Sequence, residues 1–151
     1  MPTLEAVPNL AEMTIEIAEE IRVAAPIATT FAALLESIGP SNQIPNGQAM
    51  PMTIEAFPGG RWLRDLGNGN GHNWGHVQAI KSPTLLEIAG PLMMSYPVAN
   101  NVQWRLSEEN GETVIRFRHS GFGFISDAHR KGMPEGWGYM NAQAKKRAEG
   151  K

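Results

Sequence analysis

The chain has 151 residues, 13 of them basic and 15 acidic, giving a formal charge of −2 with 42% hydrophobic and 19% charged residues. That is an ordinary globular composition, long enough to bury a core. Its net charge gives no broad positive field for phosphate contacts, so nucleic-acid binding is disfavoured and no nucleic-acid partner is expected. Cysteine is absent, which removes disulfides, thiol nucleophiles and cysteine-ligated zinc. Residues 1–20 contain no Lys or Arg, so a secretory leader is not indicated. No apolar run of about 18 residues occurs, so no membrane contact is expected. The expectation is a soluble, cytoplasmic protein.

Residues 1–13 have no clear period and read as an N-terminal tail before one domain over 14–151. From Thr14, apolar Ile15, Ile17, Ile21 and Val23 alternate with Glu16, Ala18, Glu20 and Arg22, which predicts a half-buried strand. Glu19 falls on the apolar side and calls for a bulge, a strand end or a polar cavity wall. The period then lengthens. Pro26 opens a helix carrying Ile27, Phe31, Leu34, Leu35 and Ile38, and Gly39-Pro40 stops it. Residues 41–50 are turn-rich.

Strands are predicted over Met52–Phe57 and Arg61–Leu66, joined by Pro58-Gly59-Gly60. The segment from Gly67 to Gly71 reads as a hairpin loop unable to hold a regular element. Trp74–Lys81 and Thr84–Ala89 follow as strands around a Ser82-Pro83 turn, and Gly90–Tyr96 is ambiguous. Val102, Trp104 and Leu106 alternate with polar neighbours up to Asn110-Gly111, a strong hairpin signal. Beyond it Thr113, Ile115, Phe117 and His119 share a face. Ser126 or Asp127 caps a short helical segment, and Pro134 opens a main helix with a Trp137, Met140, Ala144 stripe. Strand, helix, about six strands and a long helix make an α+β fold.

This order resembles the START-like superfamily of polyketide cyclase and lipid-transport proteins (SRPBCC), and within it the Hsp90-ATPase-activator homology domains. The resembling residues are Ala25-Pro26 and Phe31, Pro58-Gly59-Gly60-Arg61-Trp62, His119-Ser120-Gly121-Phe122, and Gly136-Trp137. The resemblance implies a helix-grip fold: a curved antiparallel sheet of about six to seven strands around the C-terminal helix, with one or two short helices after the first strand. It also implies a hydrophobic small-molecule ligand, carries an Hsp90-type chaperone as a partner by family analogy, and leaves a homodimer open. Departures from the family pattern are the lack of aromatics over residues 37–46 and Phe57 where a basic residue is common.

The candidate site is an apolar cavity between the sheet and the last helix, where Gly136, Gly138 and several alanines leave volume. Trp62, Trp104, Phe117, Trp137 and Met140 are its expected walls and His119 its polar anchor. His119 also suits acid–base work in a cyclase or hydrolase, with Glu19 as a partner if the first and last strands pair. A core histidine satisfied by a neighbour is the competing assignment, so no catalytic residue is assured. His72 and His76 sit four apart, but extended chain separates them by roughly 13 Å, too far for one ion. No metal or cofactor is indicated. Asp127 and His129 read as capping and surface residues.

Overall fold

A computed structural model describes residues 9–151. Most of the predicted tail, residues 1–8, lies outside them. Of the remainder, Ala11–Met13 form a 3-10 turn. No helix among the described residues is long and apolar enough to cross a membrane.

The first strand, β1, runs Thr14–Val23, and α1 runs Ile27–Ile38. Then come β2 (Thr53–Ile54), β3 (Arg61–Gly67), β4 (Asn70–Lys81), β5 (Leu85–Gly90), β6 (Val98–Glu109), β7 (Glu112–Gly123) and α2 (Asp127–Ala148). The seven strands form one antiparallel sheet in the order β1-β7-β6-β5-β4-β3-β2. A single short helix follows the first strand, and the long helix packs on α1 and β1. This is the α+β helix-grip arrangement. Two of the four Asn-Gly pairs sit in two-residue hairpin turns with positive φ, 56° and 75° at Asn68 and Gly69, 55° and 81° at Asn110 and Gly111.

Several local expectations need correction. The glycine-rich loop is almost all strand: Gly67 pairs with Asn70, so only Asn68 and Gly69 turn. The left-handed conformation those two residues tolerate lets the ladder run to the tip. The strand expected over Met52–Phe57 shrinks to Thr53–Ile54, because Phe57 N–H donates back to Glu55 and closes a turn. Glu55 receives Arg61 there through its backbone amide at 2.8 Å and its guanidinium at 2.8 and 3.0 Å. These bonds hold the Glu55 carboxyl down at about 2.

The C-terminal helix does not begin at Pro134. It is a continuous 22-residue helix whose N-cap is Ser126, with Oγ accepting the His129 amide at 3.2 Å. Pro134 lies inside it at an exposed position, where its missing N–H withholds one bond from the helix ladder.

Helix α2 is tied down at both ends. At its start the Arg130 guanidinium donates to the carbonyls of Thr14 and Glu12. At its end Glu149 accepts the Ala24 amide at 2.8 Å and Lys145 Nζ at 2.7 Å, and Lys145 also donates to the Arg22 carbonyl. Those donors hold the Glu149 carboxyl at about 2. Glu19 produces neither a bulge nor a strand end, since β1 and β7 pair without a slip. Its carboxylate lies against α2 at Gly138, 3.7 Å from where a Cβ would stand.

Candidate functional site

Helix α2 buries Met133, Trp137, Asn141, Ala144 and Ala148, spaced by three or four, so one stripe faces the sheet. The stripe meets two different environments.

Against β6 and β7 the interior is filled. Phe117 and Trp137 have ring centroids 4.8 Å apart, Trp104 lies 5.3 Å from Phe117, and Trp104 and Trp137 meet edge-on at 5.9 Å. Trp104 Nε1 donates to Asn141 Oδ1 at 2.9 Å. Trp137 Nε1 donates to His119 Nδ1 at 3.0 Å, which puts the imidazole proton on Nε2, donating to Asn100 Oδ1 at 2.7 Å. Asn100 Nδ2 then donates to the carbonyls of Gly90 and Pro91.

The chain supports this relay locally. A Cβ at Gly121 would stand 2.5 Å from Asn100 Oδ1, so the glycine two residues after His119 makes room for its partner. His119 is fully buried, and burial lowers its pKa to about 4 against a weak upward pull from Glu16. Protonation would aim an Nδ1–H at the Trp137 N–H.

Beyond this core, toward β4 and the 41–50 segment, the packing opens into a cavity of about 190 Å³. Met50, Met93, Met133 and Met140 line it with Trp74 and Trp137. Four of the eight methionines thus gather in one wall, which makes that wall deformable and polarisable. Gly132 and Gly136 border the cavity from α2, and a Cβ on either would meet nothing within 4 Å. Asn42, Gln43 and His129 are the polar side chains of the wall.

The six expected site residues therefore separate. Trp137 and Met140 line the cavity. Trp104, Phe117 and His119 lie together in the filled core beside it. Trp62 is fully buried elsewhere, donating to the Ile38 carbonyl at 2.8 Å and lying 5.1 Å from Trp74. His119 stands opposite Ile17, and its ring bonds Asn100 and Trp137 rather than Glu19. His72 and His76 sit on β4 opposite Arg64 and Arg61. Among the described residues no three His, Asp or Glu side chains gather as a metal set.

Sequence reading missed Asn42, Met50, Met93, Met133 and His129. His129 and Met133 were recoverable: with Trp137 and Met140 they fall at spacings of four, four and three, but Pro134 read as a helix start cut that stripe in two. Asn42, Met50 and Met93 come from irregular segments that carry no period.

A family model described as Activator of Hsp90 ATPase homolog 1-like protein matches residues 24–149. The chain belongs to this family. Its matched span leaves out β1 but takes in every residue of the cavity wall. Among solved structures, a protein of Rhizobium leguminosarum is similar at 17% identity, covering 91% of this chain and 96% of that one, with a TM-score of 0.70. CalU16 from Micromonospora echinospora is similar at 20% identity over 89% and 75%, with a TM-score of 0.60. The di-domain ARO/CYC StfQ from the steffimycin biosynthetic pathway is similar at 12% identity, with a TM-score of 0.67, covering 93% of this chain and 52% of its own length. At these identities the likeness is one of fold. A comparison with curated proteins finds no match.

Proposed function

We propose that this Activator of Hsp90 ATPase homolog 1-like chain, as one domain from Thr14 to Lys151, binds a small hydrophobic or aromatic molecule between α2, β4 and the 41–50 segment. The observation that carries the reading is the cavity of about 190 Å³ walled by methionine and tryptophan. A dry apolar cavity of about 150 Å³ is enough to hold benzene, so this one suits a single ring with a short substituent. Burial at about 25 cal/mol per Å² of apolar area supplies the affinity, less the cost of ordering the ligand.

The description of StfQ as an ARO/CYC from a biosynthetic pathway supports a small-molecule role for this fold. Acid–base chemistry at His119 has no free ring nitrogen to support it, and a chaperone partner is supported by the family's name alone.

The test is titration of the protein with p-xylene, followed by calorimetry and by the fluorescence of Trp74 and Trp137. Saturable binding is expected in the wild type. The Gly136→Leu variant, which fills the cavity from a position with no neighbour in the way, should fold and lose it. No saturable binding in the wild type, or equal binding in Gly136→Leu, would overturn the reading.

A further inference from the structure

The polar atoms of the cavity wall say what kind of ring belongs there. His129 stands on the first turn of α2, half-buried, with Nδ1 2.6 Å from the hydroxyl of Tyr96. The Tyr96 oxygen also accepts the Ser126 amide at 3.3 Å. The phenol oxygen can accept that amide and still either donate to Nδ1 or accept from it, so Nδ1 is engaged in either tautomer. Nε2 bonds no protein group among the described residues, and His129 is part of the cavity wall. Tyr96 thereby holds the imidazole in one orientation, with Nε2 left for a ligand.

Asn42 is 1% exposed and also belongs to the cavity wall. Its Nδ2 donates to the Met50 carbonyl at 3.0 Å, and its Oδ1 is sealed from the cavity as it is from solvent. Nε2 of His129 and the amide of Gln43 are therefore the polar atoms left to a ligand. A hydroxyl is the smallest substituent that answers Nε2 in either tautomer, whereas a carbonyl answers it only when Nε2 is the donor.

Resting on the binding reading above, we infer that the ligand is a single-ring aromatic alcohol of the phenol class, its hydroxyl hydrogen-bonded to His129 Nε2. Methionine walls discriminate poorly by shape, so this polar anchor sets specificity. Tyr96 acts as a positioning residue through His129 and does not touch the ligand.

The experiment compares p-cresol with p-xylene, which have the same shape and differ by a hydroxyl for a methyl. In an apolar cavity without an anchor, desolvation of the hydroxyl makes p-xylene the tighter ligand by roughly tenfold or more. With the anchor in place, p-cresol should bind the wild type more tightly than p-xylene. In His129→Leu the preference should invert, falling by roughly tenfold or more. In Tyr96→Phe it should fall by less, with the folded state checked by thermal melting.

A wild type that prefers p-xylene overturns the anchor and leaves the cavity reading standing. So does a p-cresol preference that survives His129→Leu unchanged. Failure of both probes to bind overturns the anchor and the cavity reading together. The wild-type comparison alone decides the matter if a variant does not fold.

Discussion

One helix serves two neighbourhoods that differ in almost every physical respect. Where α2 meets β6 and β7, Trp104, Phe117 and Trp137 fill the space, and His119, Asn100 and Asn141 bond inward. Where α2 meets β4 and the 41–50 segment, methionines and glycines border a cavity, with Asn42 Oδ1 unpaired among the described residues. Aromatic rings with hydrogen-bonded edges specify one packing, while flexible thioethers and missing side chains leave room for something else. The contrast puts close packing in the first neighbourhood and free volume in the second.

The largest expected effect tests the closed side. Phe117→Ala should cost about 3–5 kcal/mol, because two tryptophans on its flanks cannot collapse into the space. Denaturant titration measures it, and a loss below about 1 kcal/mol would mean that the core is looser than its distances imply.

Acid comes next. The His119 pKa is lowered from 6.5 to about 4, so the unfolded chain binds the proton first. The resulting stabilisation is complete above pH 6.5 and is lost as the pH falls toward 4, amounting to about 3 kcal/mol. Urea midpoints across that range should show the fall, and His119→Gln should flatten it. An unchanged slope in the variant would remove His119 as the cause.

Smaller effects belong to the open side. Met140→Ala should cost about 1 kcal/mol, since one side of that residue already faces free volume. A loss equal to that of Phe117→Ala would erase the distinction between the two regions. Gly132→Ala should raise stability by up to about 1 kcal/mol, because the position is helical, exposed and unobstructed. A decrease would show that the glycine is needed for packing that its surroundings do not reveal.

The two sides were unequally legible in the sequence. Period-two runs from Thr14 and through Val102–His119 place the closed side, because each inward residue follows from parity once the Asn110-Gly111 turn sets the register. Parity even put His119 indoors. It could not say that Trp137 and Asn100 consume both ring nitrogens, since those contacts join residues 18 and 19 positions away. The open side draws on Asn42, Met50 and Met93, which lie in segments with no period to read. Of its regular components, Trp74 lies on a strand that the sequence shows, while the His129–Met133–Trp137–Met140 stripe was hidden by Pro134. A proline tolerated on an exposed face looks the same in sequence as one that opens a helix.

The distribution of weak residues along α2 has a mechanical side. Gly132, Pro134, Gly136 and Gly138 fall within seven consecutive positions, while Arg130, Lys145 and Glu149 fasten the stretches on either side. Each glycine forfeits about 1 kcal/mol of helical preference relative to alanine, and the proline withholds a rung from the ladder. The helix therefore behaves as a beam clamped at both supports and thinnest in the part that roofs the cavity. Its continuity there is borrowed from the clamps rather than generated by its own residues.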